Sequence, residues 1–228
     1  MTTEGRVSPV GYGATDGGNR VPDEDVLRRL RSETAAEHRA VEDTLDLLSA
    51  DLTRDRLVDV LARMHGFWQA AEAGLDDWSA NEPADAAGIG WERRRRSHLF
   101  ADDLAALGAG PADVVPELPD VPDTDAALGR LYVLEGSSLG GVFIDRHLAG
   151  LPQLAATERL TSFSPYGEQT GAMWRAFRTV TRARVADGGD AGRLVGAARQ
   201  TFGALACWCG ASPVAQRRVS SAGNGARA

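Results

Sequence analysis

The chain contains 228 residues, of which 43% are hydrophobic and 25% are charged; these values are typical of globular domains and exclude a fibrous or wholly disordered chain. This length predicts one domain with a sizeable core. The 25 basic and 32 acidic residues give a net charge of −7, which disfavours non-specific binding to nucleic acid or to an anionic membrane surface.

Apolar residues recur at helical spacing along most of the chain, and no segment alternates with the period of a strand. The Gly-, Thr- and Ser-rich residues 1–22 and the similar residues 211–228 are predicted to be flexible tails around a helical domain at 23–210. Six helices are predicted. The first spans about 23–48, the second begins at Thr53 and contains Trp78, and the other four span about 92–107, 124–149, 168–186 and 191–209. A Pro-, Ala- and Gly-rich loop follows the second helix, and a Pro-rich connector precedes the fourth. Together these elements predict an all-α, single-domain bundle.

Other features of the composition limit the location and the chemistry. The N-terminal residues lack the apolar segment of a secretory signal, and no apolar stretch approaches the roughly 20 residues of a membrane span, so a cytoplasmic location is predicted. Cys207 and Cys209 are too close in sequence to bridge each other easily, which excludes a disulfide framework. All 25 basic residues are arginine, so any site for an anionic ligand must use guanidinium groups.

His38 lies on the apolar stripe of the first predicted helix. Thr34, His38, Val41 and Leu45 are spaced by four, three and four residues, which predicts that the imidazole faces the apolar interior. A core histidine that is hydrogen-bonded to a carbonyl or carboxylate would explain this position. A neutral imidazole is also the proximal ligand that a haem iron takes, and Glu42, one turn later, could reach the other ring nitrogen.

The fourth predicted helix contains an unusual segment, EGSSLGG, far from either helix end. Each of its glycines, Gly136, Gly140 and Gly141, costs about 1 kcal/mol relative to alanine, and capping does not explain them. Two explanations remain open. Small residues could allow close packing of two helices, or the bare backbone at Gly136 and Gly140 could lie almost directly over a flat ligand.

Arginines are the candidate partners of ligand carboxylates. Arg175, Arg178 and Arg182 are spaced i, i+3 and i+7 on the fifth predicted helix, a pattern typical of a solvated face. The run Arg93–Arg96 is predicted to be solvated or to face a partner rather than to form a site. The candidates for pairing with ligand carboxylates are these three arginines of the fifth helix together with Arg31 and Arg146.

Two segments, LRSETAAEHRAVE and GRLYVLEGSSLGG, resemble the proximal and distal helix motifs of haem oxygenases, most closely those of the bacterial, biliverdin-producing branch. The resemblance covers about residues 25–209, and YGEQTGAMWRAF and TFGALACW are also similar to the later helices of this family. The resemblance implies a haem-oxygenase-like multi-helix bundle with haem between the proximal and distal helices.

The resemblance also implies roles for individual residues. His38 corresponds to the proximal iron ligand, and Gly136 and Gly140 correspond to the residues over the distal face of haem. Animal members carry an acidic residue where this chain has Ser137, so Ser137 and Ser138 become candidates for ordering distal water. Catalytic roles are implied for Gly136, Ser137 and Gly140. Contacts to haem, mainly to its propionates, are implied for Arg31, Tyr132, Arg146 and Arg175.

The activity implied by the resemblance is the cleavage of haem to biliverdin, CO and Fe2+, with O2 as oxidant. Haem is then both cofactor and substrate. Electrons are expected from an external reductase or ferredoxin, because the chain has no flavin, NADPH or iron–sulfur motif. A phytochrome is a candidate acceptor of biliverdin, and no nucleic-acid or membrane partner is expected. The meso carbon attacked, the electron donor, the oligomeric state and the physiological role stay open.

Other functions are compatible with parts of this pattern. A haem carrier or sensor of the same fold that never turns over would share His38 and the basic residues with an enzyme. A di-iron protein would need inward carboxylates with Glu-x-x-His spacing. The residues three positions before the four histidines are instead Ala35, Ala62, Arg95 and Ile144, and His65, His98 and His147 are predicted to be structural. A thiaminase-like relative would need a nucleophilic cysteine, for which Cys207 and Cys209 are poorly placed.

Overall fold

A computed structural model describes residues 25–111, 114–155 and 160–210 of the chain. The described residues form helices and contain no strand, which confirms the all-α prediction. The eight α-helices are α1 (Val26–Glu33), α2 (Ala35–Leu45), α3 (Arg54–Asn81), α4 (Pro83–Ile89), α5 (Ser97–Ala106), α6 (Thr124–Ala149), α7 (Thr170–Ala186) and α8 (Ala191–Gly210). Short 3-10 turns lie at Trp91–Arg94, Pro152–Leu154 and Gly167–Gln169. Both predicted tails, 1–22 and 211–228, lie outside the described residues.

The prediction of one continuous first helix is wrong, because the helix is interrupted at Thr34. The Thr34 hydroxyl donates to the Leu30 carbonyl oxygen at 2.6 Å, a bond that competes with the backbone ladder and bends helices. Thr34 therefore ends α1 and begins α2 with φ of −107° and ψ of 4°. The second of these helices ends at Asp46, in the left-handed region with φ of 46°, and does not reach Leu48.

Two further predictions of local structure are corrected. The segment predicted as a loop after the second helix contains α4, which Pro83 starts at a position where the missing N–H costs nothing. The predicted helix at 92–107 is divided, because residues 91–94 form a 3-10 turn and Arg95 is extended with ψ of 131°. The predictions for α3, α6 and α8 are confirmed, and α7 begins at Thr170 after a 3-10 turn.

Helix α8 is the common support of α2 and α6. The most extensive packing in the fold joins α6 to α8, and α2 also packs along α8, where Glu37 accepts a hydrogen bond from Arg199 at 2.6 Å. Few residues of α2 and α6 approach each other directly, so the two helices meet mainly through α8. Helix α3 packs mainly against α5 and also contacts α4, α6 and α8. The largest fully buried aromatic side chains of the described residues are Phe67, Trp68, Trp78, Trp91, Phe100 and Phe177. In the described part of the chain, no helix combines the length and the apolar character that crossing a membrane requires.

Candidate functional site

The His38 side chain is 54% exposed, so the prediction that it points into the apolar interior is wrong. Val41 and Leu45 form the buried face of α2, and His38 lies about 60° from Val41 around the helix, at the edge of that face. Its ring packs edge-on against Phe202 of α8, with 5.4 Å between ring centroids. His38 Nδ1 lies 3.4 Å from Glu42 Oε2, which leaves Nε2 as the ring nitrogen available to a ligand.

The glycines of α6 divide into two groups. A Cβ on Gly129 would collide with the Leu194 carbonyl oxygen of α8, and a Cβ on Gly141 would collide with the Phe163 carbonyl oxygen. Apart from its chain neighbours and the adjacent backbone of α6 itself, a Cβ on Gly136 or Gly140 would meet no heavy atom of the described residues within 4 Å. Close packing therefore explains Gly141, whereas the bare backbone at Gly136 and Gly140 faces open space.

The residues around these two glycines form one exposed apolar side of α6, here called the open face: Tyr132, Gly136, Leu139, Gly140 and Phe143. They are separated by three or four positions, which places them on one side of the helix. Phe143 is 65% exposed and Leu139 is 37% exposed, and Val142 beside them is also exposed. A cluster of large apolar side chains in contact with solvent is typical of a ligand or partner site.

Tyr132 joins the open face to the junction between α1 and α2. Its ring lies 6.5 Å from Phe202 and 6.0 Å from Trp174, centroid to centroid. Its hydroxyl lies near Thr34 and in the field of Arg31. Burial raises the pKa of this hydroxyl, and Thr34 and the Arg31 charge oppose the rise, so the phenol stays neutral at physiological pH.

The structure brings together some of the predicted contact residues and separates others. Arg31, Tyr132 and His38 cluster around Phe202 and the α1–α2 junction. Arg175 is exposed on α7, next to Trp174 in sequence. Arg146 is exposed in the last turn of α6, 14 residues after Tyr132, which corresponds to about 21 Å along the helix axis. Arg146 therefore does not join the cluster around Tyr132.

Arg182, the last member of the arginine stripe on α7, has a structural role. Arg182 donates two hydrogen bonds to Asp25, at 3.1 and 2.6 Å, and so ties α7 to the N-terminus of α1. The hydrogen bond from Arg182 lowers the pKa of Asp25. Both side chains are more than 40% exposed, so this pair agrees with the predicted solvated face.

The prediction that the run Arg93–Arg96 is solvated is wrong for two of its members. Arg94 is 3% exposed and Arg96 is 1% exposed. The extended backbone at Arg95 sends alternate side chains to opposite sides, so these two point inward while Arg95 pairs with Asp76 at 2.8 Å. Their partners come from a distant part of the chain. One signal in the sequence could have indicated this burial: Glu135 lies among the buried residues of α6, and a buried carboxylate requires a cation as partner.

Behind the open face lies a buried polar cluster centred on Glu135, which is 1% exposed. Arg94 forms an ion pair with Glu135 Oε2, and the Tyr166 hydroxyl donates to Glu135 Oε1 at 2.7 Å. Burial is the main cause that raises the pKa of Tyr166, which therefore acts as a donor. This cluster fixes the part of α6 that immediately precedes Gly136.

The two distal serines have different surroundings. Ser138 is 2% exposed, and its hydroxyl donates to the Glu135 carbonyl oxygen at 2.7 Å. Ser137 is half-buried, and its hydroxyl donates to the Leu134 carbonyl oxygen at 2.7 Å. Around the helix axis, Ser137 lies about 100° from Gly136 and Ser138 about 160°. Ser137 is therefore the serine nearer to the open face.

Other candidate chemistry has little support in the described ranges. No group of three or more His, Cys, Asp or Glu side chains comes together there, so the di-iron alternative has no ligand set among these residues. Burial raises the pKa of Cys209 to about 12, which disfavours a thiolate nucleophile. His147 Nε2 lies 3.0 Å from the Ser49 carbonyl oxygen, in keeping with the predicted structural role.

Comparisons with known proteins agree with these features. A family model described as Heme oxygenase matches residues 24–209. A heme oxygenase of Xanthomonas campestris pv. campestris is 34% identical over 132 residues, which cover 58% of this chain and 74% of that protein. A crystal structure of the NO- and CO-bound heme oxygenase from Neisseria meningitidis has the same fold, with a TM-score of 0.65 and 22% identity over 83% of this chain and 94% of that one. The chain described here belongs to the haem oxygenase family.

Proposed function

We propose that this protein cleaves haem oxidatively to biliverdin, CO and Fe2+, using O2 and electrons from an external donor. Membership of the haem oxygenase family supports the activity. The observation that carries the assignment of the site is the bare backbone at Gly136 and Gly140, which forfeits helix stability and meets no packing partner among the described residues. A flat apolar ligand over this backbone explains that cost.

The residues around the open face fit haem. Leu139 and Phe143 offer apolar surface for a porphyrin, and His38 Nε2 offers a nitrogen ligand for iron on the neighbouring helix. Arg31 and Tyr132 provide a cation and a neutral hydroxyl for a propionate. When bound, haem supplies the redox-active iron and the meso carbon that is attacked.

The side chains then have separate tasks. Glu42 lies 3.4 Å from His38 Nδ1 and so orients the imidazole. On the open face, Leu139 and Phe143 have no ligating atom, and the Tyr132 phenol stays protonated because burial raises its pKa. These three side chains therefore provide no second ligand for iron, which suits a reaction that needs O2 to enter.

Roles for the remaining predicted residues rest on the resemblance. Arg175 is exposed on α7 next to Trp174, whose ring lies 6.0 Å from that of Tyr132, and would provide a second cation for a propionate. Arg146 lies in the last turn of α6, away from Arg31 and Tyr132, so a propionate contact from Arg146 would be separate from theirs. The reductase or ferredoxin donor, the phytochrome acceptor and the cytoplasmic location stay predictions.

Titration of the full chain with hemin, followed optically, tests the site. We expect a one-to-one complex with the Soret band of histidine-ligated ferric haem. His38→Ala should lose this band and recover part of it with added imidazole. The control His98→Ala, an exposed histidine on α5, should behave like the wild-type protein. Absence of stoichiometric binding would contradict the assignment.

Reduction of the complex under O2 tests the activity. Ascorbate or a ferredoxin system should bleach the Soret band and produce the absorption spectrum of a bilin together with CO. Tight binding without haem loss under every reductant would instead identify a carrier or sensor. Product analysis by chromatography would then assign the meso carbon.

A further inference from the structure

Arg96 contacts α6 on both sides of Gly136. It lies in the link between the Trp91–Arg94 turn and α5, and its side chain is among the most deeply buried in the molecule. Its Nη2 group donates to the Leu134 carbonyl oxygen and lies 3.4 Å from Ser137 Oγ. Leu134 precedes Gly136 by two positions and Ser137 follows it directly. Arg96 thus holds the backbone and a side chain next to the bare glycine of the open face.

The charge of Arg96 has no carboxylate partner within 4 Å among the described residues, in contrast to that of Arg94. Arg94 pairs with Glu135. The Arg96 guanidinium instead lies 5.5 Å from the centroid of the Trp68 ring and 5.8 Å from that of Tyr166. Aromatic faces stabilise a cation but do not neutralise it. A buried positive charge of this kind is expensive, and its field is weakly screened towards the open face.

The backbone of Arg96 is fixed from the opposite side. Glu72 Oε1 accepts the backbone N–H groups of Arg96 at 2.6 Å and of Ser97 at 2.9 Å, and Glu72 Oε2 accepts the Ser97 hydroxyl at 2.5 Å. Glu72 is itself 6% exposed, on α3. The start of α5 is therefore anchored to the core, and the guanidinium has a defined position against α6.

This contact determines what Ser137 can offer to a ligand. The only proton of the Ser137 hydroxyl is donated to the Leu134 carbonyl oxygen at 2.7 Å, and Arg96 lies behind the oxygen as a cationic donor. Ser137 Oγ therefore faces its surroundings as an acceptor that a positive charge polarises. Ser138, turned into the protein, cannot take this role.

We propose that Arg96 is a positioning residue of the haem site, which acts through Ser137 and the Leu134 carbonyl and brings a positive charge behind the Gly136 side of haem. This inference rests on the proposed function, because the open face must hold haem for the charge to act on its ligands. It predicts that Arg96 favours negative charge on this side of the iron and orders water there through Ser137.

Three substitutions separate the charge from the contact. Arg96→Gln removes the charge and keeps an amide donor, whereas Arg96→Lys keeps the charge and loses the planar guanidinium group that contacts both Leu134 and Ser137. Arg95→Gln is the matched control, because this neighbour is 38% exposed and pairs with Asp76 and Glu92, away from α6. In the ferric haem complex, Arg96→Gln should raise the midpoint of the acid–alkaline spectral transition by about one pH unit. Arg96→Lys should shift the midpoint less, and Arg95→Gln should leave it unchanged.

A second readout uses CO as a probe of the field. The C–O stretching frequency of the ferrous complex should rise in Arg96→Gln, because a positive potential near the ligand lowers it in the wild-type protein. The same comparison in a Ser137→Ala background tests the route of action. The effect of Arg96→Gln should shrink there if Arg96 acts through Ser137, whereas full additivity would overturn the role assigned to Ser137.

The contact also has consequences without haem. Amide hydrogen exchange at residues 134–141 of the haem-free protein should accelerate in Arg96→Gln and not in Arg95→Gln. Equal exchange, midpoint and stretching frequency in both variants would overturn the role of Arg96. If Arg96→Gln does not fold, Arg96→Lys carries the test through hydrogen exchange, because lysine keeps the charge and loses the guanidinium contacts with Leu134 and Ser137. Unchanged exchange at residues 134–141 in Arg96→Lys would then overturn the proposal. A wild-type chain that binds no haem would instead refute the proposed function.

Discussion

Gly140 and Gly141 are neighbours in α6 and face opposite surroundings. A Cβ on Gly141 would collide with the Phe163 carbonyl oxygen, whereas one on Gly140 would meet no described atom within 4 Å. Packing against the segment before α7 therefore requires the second glycine and not the first. Gly140 weakens the helix without any such packing requirement, and a ligand that approaches the backbone would account for it.

We expect Gly140→Ala to stabilise the haem-free protein and to weaken haem binding. The substitution should increase the free energy of unfolding by up to about 1 kcal/mol, because alanine restricts the unfolded chain and its Cβ has space in the fold. The same Cβ would occupy the surface assigned to haem. Urea denaturation of the haem-free protein and hemin titration measure the two effects.

Two other glycines provide controls for this experiment. Gly88→Ala, at an exposed position of α4 with equally open space, should stabilise the protein without affecting haem. Gly141→Ala should destabilise it, because the Phe163 carbonyl has to move. Unchanged haem affinity in Gly140→Ala would show that haem does not bind over the open face.

Glu42→Gln tests how His38, the proposed iron ligand, is held. The amide can still accept a hydrogen bond from His38 Nδ1, but without a negative charge it makes the imidazole a weaker donor to iron. We expect the iron–histidine stretching frequency of the ferrous complex to fall and turnover to decrease about tenfold. Asp43→Asn, at the next and exposed position, is the control. An unchanged frequency would show that Glu42 does not act on the ligand.

Helix order and type were predictable wherever local chemistry agrees with packing. Thr53 and Asp123 cap α3 and α6, accepting hydrogen bonds from the backbone N–H groups of Arg56 at 3.2 Å and Ala126 at 2.9 Å. Both helices were predicted from their apolar periodicity. The break at Thr34 was not, because threonine also occurs inside helices, and only the bond from its hydroxyl to the Leu30 carbonyl oxygen marks the bend.

The sequence predicted one part of the candidate site and not the other. The exposed glycine face and His38 follow from unusual residues in a regular helix and from a resemblance. The burial of Arg94 was not visible, since it depends on Glu135, 41 positions later, and on the Tyr166 hydroxyl. A run of four arginines has the composition of a solvated segment, and only the extended backbone at Arg95 turns every second one inward.

Arg31→Ala should weaken haem binding by about 1–3 kcal/mol if the guanidinium holds a propionate. Arg29→Ala is the control, because Arg29 pairs with Glu33 on another side of α1 at 2.9 Å. Titration with the dimethyl ester of haem isolates the contact. The difference between wild-type and Arg31→Ala affinities should disappear with the ester, which has no propionate charge. A difference that persists with the ester would assign Arg31 to folding of the α1–α2 junction instead.

The buried His65 of α3 predicts a loss of stability in mild acid. Burial lowers its pKa from the ordinary value of 6.5, and the negative charge of Glu72 only partly opposes this effect. The unfolded chain therefore takes up a proton at a higher pH than the folded protein does. The stability that neutral His65 contributes is fully present above about pH 6.5 and is lost as the pH falls from there through the lowered folded-state pKa.

Chemical denaturation at about pH 7.5 and about pH 5.5, on either side of the usual histidine pKa, measures this loss. The free energy of unfolding of the wild-type protein should fall between the two. His65→Gln should fall by less, because the amide has no proton to gain, although its stability at the higher pH is also reduced. His98→Gln, which replaces an exposed histidine, should keep the wild-type pH dependence. Since carboxylates contribute equally in all three proteins, a His65→Gln protein with the wild-type pH dependence would show that His65 is not the group responsible.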